Sequence, residues 1–333
     1  MNSCTMYNAS MDSEKFLFFQ TMWNLTGLIL YPIFCCFGLT INIVCIFVLT
    51  RKKMRSTTRI FILGLTISDS IHVLNDLLYF VCLLVNVFDV KISMHMIDYV
   101  YPYTNYVFHV TVTYSAWMTV SIATERYVNV CHSKRALYII TYTRGVIALM
   151  VIAVVTLIIS VPHSVNMFYL VTSNLQNVSF QEEIRNTAFG NIFNACYYTV
   201  RFIVPVLCLV TFSSLIIYRL KDVRIRNGKK RTTINLILAV SSFIVCATPE
   251  VIVSAISRFH GTTDHLQGIS EMTNFILLLN CSINAVIYCG LNKRFMAALK
   301  KYCRGSWMEL AKFKTTGDLI WSNGFIWYVN YQY

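Results

Sequence analysis

Apolar residues run along this chain in seven long blocks, at about 25–50, 60–85, 103–130, 145–168, 194–219, 233–257 and 270–290, separated by polar stretches. Within a block they are continuous rather than alternating, which argues against the strands of a membrane barrel. Most blocks reach the roughly 20 residues that a helix needs to cross a bilayer. In lipid only helices and closed barrels satisfy their own backbone groups. The pattern therefore predicts an all-α membrane protein, a bundle of seven transmembrane helices. Its function must concern crossing a membrane or signalling across one.

Composition sharpens this picture. The chain is 56% hydrophobic and only 13% charged, with a net charge of +13. Such a charge suggests nucleic acid until its placement is read. Arg51, Lys52, Lys53, Arg55 and Arg59 follow the first block, and Lys134, Arg135 and Arg144 lie between the third and fourth. Seven more, from Arg219 to Arg231, fill the link between the fifth and sixth, and a further group follows the seventh. The opposite side carries only Lys15, Lys91, Arg185 and Arg258. Lys and Arg collect in short cytoplasmic loops, so the N-terminus is expected outside and the C-terminus inside. The charge is a topology signal with membrane lipids as its partner, not nucleic acid. Three glycosylation sequons, at Asn8, Asn24 and Asn177, fall on the outer side, Asn24 close to the membrane. Residues 1–15 lack the apolar core of a signal peptide, which leaves the first block as the insertion signal.

Polar groups inside the blocks are costly and face the bundle interior or a wet cavity. The first block carries Asn42, the second Asp69, the third ends in Glu125-Arg126-Tyr127, and the fifth and sixth contain Pro205 and Pro249. The seventh carries Asn280 and Asn284, followed by Tyr288. In this order, each on the matching helix and side, these residues resemble the rhodopsin-like G-protein-coupled receptors, over about residues 30–303. The resemblance implies that Asn42, Asp69, Asn280 and Asn284 form a hydrated polar core, with a sodium ion at Asp69 and no other cofactor. It implies that Glu125 holds Arg126 in the silent state, and that Arg126, with Tyr127, Asn284 and Tyr288, forms the switch that couples to a heterotrimeric G protein. It divides the chain into an extracellular segment 1–24, a seven-transmembrane domain 25–290, a short amphipathic helix 291–304 around Phe295, and a cytoplasmic tail 305–333. Cys303 would be palmitoylated.

Tyr101-Pro102-Tyr103, the run Glu125 to His132, Cys246-Ala247-Thr248-Pro249 without tryptophan, and Asn292-Lys293-Arg294-Phe295 look most like invertebrate FMRFamide-type neuropeptide receptors. Phe108 and Leu278 stand where amine receptors and opsins carry an aspartate and a lysine, which argues against amine sensing and retinal binding. The implied ligand is an amidated, cationic extracellular peptide. Asp76, Glu250 and Glu271 would each meet its arginine by a charge-assisted bond. Asn105, His109, Tyr198 and Arg201 join this pocket, with Tyr106, Tyr197 and Phe275 as aromatic walls. Two bland readings stay open. Glu250 would equally pair with Arg201, since a buried charge needs a partner, and His109, like His163, would be a hydrogen-bonded structural histidine.

Several positions depart from the family pattern. Tyr101 replaces the cysteine atop the third helix, and the loop 169–190 has none, so Cys4, Cys82 and Cys196 are the nearest outward thiols. Ala285 replaces a proline, Ser213 a tyrosine and Ala247 a tryptophan. The tail 305–333 holds Trp307, Trp321 and Trp327 and no Ser/Thr-rich cluster. The expectation is a plasma-membrane neuropeptide receptor and not an enzyme. The alternatives are a divergent chemosensory receptor for a small molecule and, more remotely, a transporter or channel, for which no paired broken helices or internal repeats are found.

Overall fold

The computed structural model describes residues 17, 21, 23–50, 57–173, 188–222, 227–260, 264–287, 295–297, 299 and 300. Helix α1, Tyr31–Leu49, is prolonged upstream by a π-helical stretch, Trp23–Leu30. Then come α2, Thr57–Phe88, and α3, Val90–Cys131. A short helix, Ser133–Ile139, precedes α4, Tyr142–Ser173. Helix α5 is composite: Ala188–Tyr198, a π-helical turn Thr199–Ile203, and Val204–Asp222. Helices α6, Asn227–His260, and α7, Asp264–Ala285, complete the bundle. Each apolar block of the sequence is one helix, and the protein is a multi-pass, all-α seven-helix bundle.

The third helix starts well before the expected residue 103. Asp89 is extended and its carboxylate accepts the backbone N–H groups of Lys91 and Ile92, at 2.9 and 3.1 Å. That N-cap starts α3 immediately after α2 ends. At 1.5 Å per residue α3 is about 60 Å long, so it outreaches the hydrocarbon core of about 30 Å.

Among the described residues, five segments are long and apolar enough to cross a membrane on composition alone: Asn24–Leu49, Thr57–Cys82, Tyr142–Pro162, Ile192–Arg219 and Ile237–Ser257. Helices α3 and α7 are more polar, and packing explains it. Helix α3 touches α2, α4, α5 and α6 and buries Thr111, Thr113, Thr119 and Glu125. Helix α7 lies against α1, α2 and α6 and buries Thr273, Asn280, Ser282 and Asn284. Helix α4 is the opposite case. Its Ile147, Met150, Val151, Val154 and Ile158 are exposed on the outside of the bundle, where lipid tails are their solvent.

Gly38 and Gly64 set close approaches between helices. A Cβ at Gly38 of α1 would stand 2.5 Å from Ser282 Oγ of α7, and one at Gly64 of α2 would stand 2.8 Å from Leu149 of α4. Below the helices, residues 295–297, 299 and 300 are helical. Phe295 is buried, Met296 and Leu299 pack against the core, and Lys300 is exposed.

Candidate functional site

Polar side chains form three tiers along the bundle axis. The middle tier centres on Asp69 of α2, only 1% exposed. Its carboxylate accepts from Ser115 Oγ of α3 at 2.9 Å and from Asn284 Nδ2 of α7 at 3.2 Å. Asn280 Oδ1 accepts from Ser242 Oγ of α6 at 3.0 Å, and Asn42 Nδ2 donates to the Cys281 carbonyl at 3.5 Å. A cavity of about 20 Å³ lies between Asp69, His72, Thr111, Ser115, Phe243 and Asn280. The four residues expected to form the polar core are thus gathered around α7, with only Asn284 in direct contact with Asp69. Ala247 is buried, and Phe243, one turn away on α6, lines the cavity instead.

At the inner tier Glu125 and Arg126 do not form the direct ion pair expected of them. Glu125 Oε1 accepts from Thr58 Oγ1 at 2.6 Å and Asn129 Nδ2 at 3.3 Å, while Arg126 Nη2 donates to the same Thr58 hydroxyl at 3.1 Å. Successive residues on a helix point about 100° apart and do not face each other, so a hydroxyl from α2 bridges the two charges. Tyr127 stacks on Phe212 of α5, with centroids 5.3 Å apart, and its hydroxyl lies 3.3 Å from His132 Nε2. Ser213, which stands where the family pattern has a tyrosine, has its hydroxyl buried without a hydrogen-bond partner.

The outer tier holds two charged groups of different kinds. Arg201, on the π-helical turn of α5, donates from Nη2 to Glu250 Oε2 of α6 at 2.7 Å, and both are almost wholly buried. Ser254 Oγ donates to the other Glu250 oxygen at 2.8 Å. The guanidinium sits 5.6 Å from the Phe108 ring centroid and 5.9 Å from that of Tyr197. Nδ1 of His109 is 3.0 Å from Tyr197 Oη and 3.4 Å from Arg201 Nη1. An arginine only donates, so this nitrogen is the bare one. Of the two readings of Glu250, the ion pair with Arg201 is the one found, and His109 belongs to the same network. Tyr198 packs edge-on against Tyr197 at 5.7 Å.

The second group is uncompensated. Asp76 of α2 is buried, and its Oδ2 has no hydrogen-bond partner. Glu271 of α7 accepts from Tyr79 Oη at 3.3 Å through Oε1, while Oε2 is buried and unpartnered. Asn105 Oδ1 of α3 is likewise buried and unpartnered. Among the described residues no Lys or Arg forms an ion pair with either acid. The residues that sequence reasoning passed over include His72, 2% exposed, with Nδ1 2.9 Å from Thr111 Oγ1 and Nε2 3.6 Å from Asp76 Oδ2. Its spacing was a usable signal: positions 69, 72, 76 and 79 fall on one helical face.

Two expected aromatic walls lie elsewhere. Tyr106 donates to the Leu157 carbonyl of α4 at 3.0 Å, and Phe275 packs on Tyr31 and Phe34 of α1 at 5.9 and 5.3 Å. Asn24 is exposed, and Cys82 and Cys196 are free thiols. Asn8, Asn177, Cys4, Tyr288, Cys303 and the tail 305–333 lie outside the described residues.

The family model described as "7 transmembrane receptor (rhodopsin family)" matches residues 42–288. The chain belongs to the rhodopsin family of seven-transmembrane receptors. It is therefore a receptor and not an enzyme. It is similar to the FMRFamide receptor of Drosophila melanogaster, 25% identical in an alignment of 326 residues that takes in 87% of this chain and 55% of the relative. This rhodopsin-family chain thus spans little more than half the length of that relative.

Proposed function

We propose that this receptor sits in the plasma membrane with its N-terminus outside, binds an extracellular amidated, cationic peptide, and activates a heterotrimeric G protein. One observation carries the reading: the outer end of the bundle holds two carboxylates, buried Asp76 and partly buried Glu271, each with a buried oxygen that has no partner and no described cation to balance it. Uncompensated buried charge is costly, and a cationic ligand removes the cost by binding. The similarity to a receptor named for FMRFamide points to the same ligand class. An apolar pocket would have favoured a small odorant instead.

Ligand binds between the outer halves of the helices, where Asp76, Asn105, Tyr198 and Glu271 face the entering peptide. The Arg201–Glu250 pair with His109 braces the α3–α5–α6 side of that pocket. Greater affinity for the active arrangement shifts the population toward it. At the inner end the shift frees Arg126 from the Thr58 bridge, for a Gα subunit to engage with Tyr127, Asn284 and Tyr288. The middle tier suits the sodium ion expected at Asp69. Its cavity has room for one water-sized occupant, and Asp69, Ser115 and Asn280 offer the oxygen donors that a hard cation takes. Asn8, Asn24 and Asn177 carry glycans and Cys303 a palmitoyl chain in this reading.

The test is a calcium and cyclic-AMP assay in cells expressing the chain, challenged with a panel of amidated peptides. A response that Arg126→Ala abolishes at unchanged surface expression and unchanged peptide binding supports the reading. Silence of the wild-type chain at confirmed surface expression rejects it for the peptides used.

A further inference from the structure

Between α2 and α7 lie three acceptor atoms with no donor among them. Asp76 Oδ2 and Glu271 Oε2 are buried and unpartnered, and the two acids lie within electrostatic reach of each other and of the Tyr31 phenol. The third is His72. Thr111 Oγ1 gives its proton to a backbone carbonyl, Val107 at 2.8 Å or Phe108 at 3.1 Å. The 2.9 Å contact with His72 therefore has Nδ1–H as its donor. In a neutral ring this leaves the lone pair on Nε2. That nitrogen has no hydrogen-bond partner, on a side chain 2% exposed, and it is aimed at Asp76 Oδ2 from 3.6 Å. A bare nitrogen facing a bare carboxylate oxygen is repulsive unless a proton or an external donor comes between them.

We propose that Asp76, Glu271 and His72 Nε2 form a clamp for one guanidinium group, the side chain of a peptide arginine. This rests on the peptide-receptor reading above and specifies which acids take the arginine. Glu250 is excluded, because it is already bonded to Arg201 and Ser254.

The chemistry selects a guanidinium over an ammonium. Five N–H donors in a plane reach acceptors on two helices at once, whereas an ammonium is a compact point charge with three. Glu271 is only partly buried and sits nearer the outer end of α7, while Asp76 is deeper. An incoming side chain therefore meets Glu271 first and ends at Asp76 and His72. Tyr79, which already donates to Glu271, holds the upper carboxylate in place. Below, His72 lines the cavity above Asp69, so occupation of the clamp is felt at the middle tier through one side chain.

The test uses the purified full-length receptor in nanodiscs and two probes. The first is L-arginine amide, with citrulline amide and lysine amide as controls, read by thermal stability. Arginine amide is expected to raise the melting temperature of the wild-type chain, lysine amide to raise it less, and citrulline amide not at all. Asp76→Asn and Glu271→Gln should each remove the arginine effect. Should Asp76→Asn fail to fold, Glu271→Gln, at a partly exposed position, carries the comparison. The second probe is the peptide Phe-Met-Arg-Phe-amide against its arginine-to-citrulline analogue. The analogue should lose about 30-fold in potency on the wild-type chain, the scale of an unpaired buried charge, and less than about 3-fold on Glu271→Gln. Equal loss on both chains, or equal stabilisation of both by arginine amide, would overturn the clamp. A receptor that is silent to the peptide yet selectively stabilised by arginine amide keeps the clamp and rejects that peptide as its ligand. A response to the peptide without arginine selectivity does the reverse.

Discussion

Arg201 and Glu250 show how one pair of residues decides a wall of the pocket. Neither charge reaches water, and each is satisfied mainly by the other, with Ser254 and the rings of Phe108 and Tyr197 around them. Removing one partner of a buried pair leaves an uncompensated charge and costs about 3–5 kcal/mol, whereas replacing both with apolar residues of similar volume is often close to neutral. Arg201→Met alone and Glu250→Leu alone should therefore each inactivate faster on heating in detergent, while the double variant recovers most of the loss. Strictly additive losses would show that the two side chains act independently. The same logic separates Glu250 from Asp76 and Glu271. Three acids on the outer halves of their helices read alike along the chain, but only one has a guanidinium within 2.7 Å.

At the scale of the helix, close approach and capping matter more than hydropathy. Helix α1 reaches α7 because Gly38 has no side chain where Ser282 Oγ stands, and that buried hydroxyl has no hydrogen-bond partner of its own. Gly38→Ala should overpack this seam and destabilise the receptor by about 1–3 kcal/mol, read as a lower melting temperature and less protein at the surface. Ser282→Gly removes the atom that the new methyl meets, so adding it should restore stability. No rescue would place the role of Gly38 elsewhere. Helix α5 depends on its π-helical turn in a similar way. Trp117 Nε1 of α3 donates to the Val200 carbonyl at 3.2 Å, one residue from Arg201, so an interruption in regular helical bonding sits where the outer ion pair is anchored. Such turns are frequent at functional sites.

For the whole molecule the tiers form one polar column: Glu271 and Asp76, then His72 and Thr111, then Ser68, Ser115 and Asp69, and Asn284. Ser68 Oγ donates to the Thr111 carbonyl at 3.2 Å and Ser115 links to both Ser68 and Asp69. Such a column would let the ion proposed at Asp69 and the ligand proposed at the outer acids bias the same equilibrium, and coupling between two sites is reciprocal. Replacing sodium with choline in binding buffer should change agonist affinity by about 10-fold, within the usual range of coupling energies. In Asp69→Asn the change should vanish. An unchanged sodium response in that variant would remove Asp69 from the ion site.

The sequence by itself determined the number of helices, their order and the direction expected of them, because the cost of an unpaired backbone group in lipid is paid locally, block by block. The polar marks at Asn42, Asp69, Glu125, Arg126, Asn280 and Asn284 were legible for the same reason: a polar residue inside an apolar block has to face inward. The start of α3 at Val90 was not, since it depends on the cap at Asp89 rather than on hydropathy. Only the tertiary structure decided which charges are paired. That choice turns on how each helix is rotated and how closely it approaches its neighbours. These relations brought Arg201 to Glu250 and Thr58 between Glu125 and Arg126, and left Asp76 Oδ2 open beside the bare nitrogen of His72 and Glu271 Oε2 without a partner.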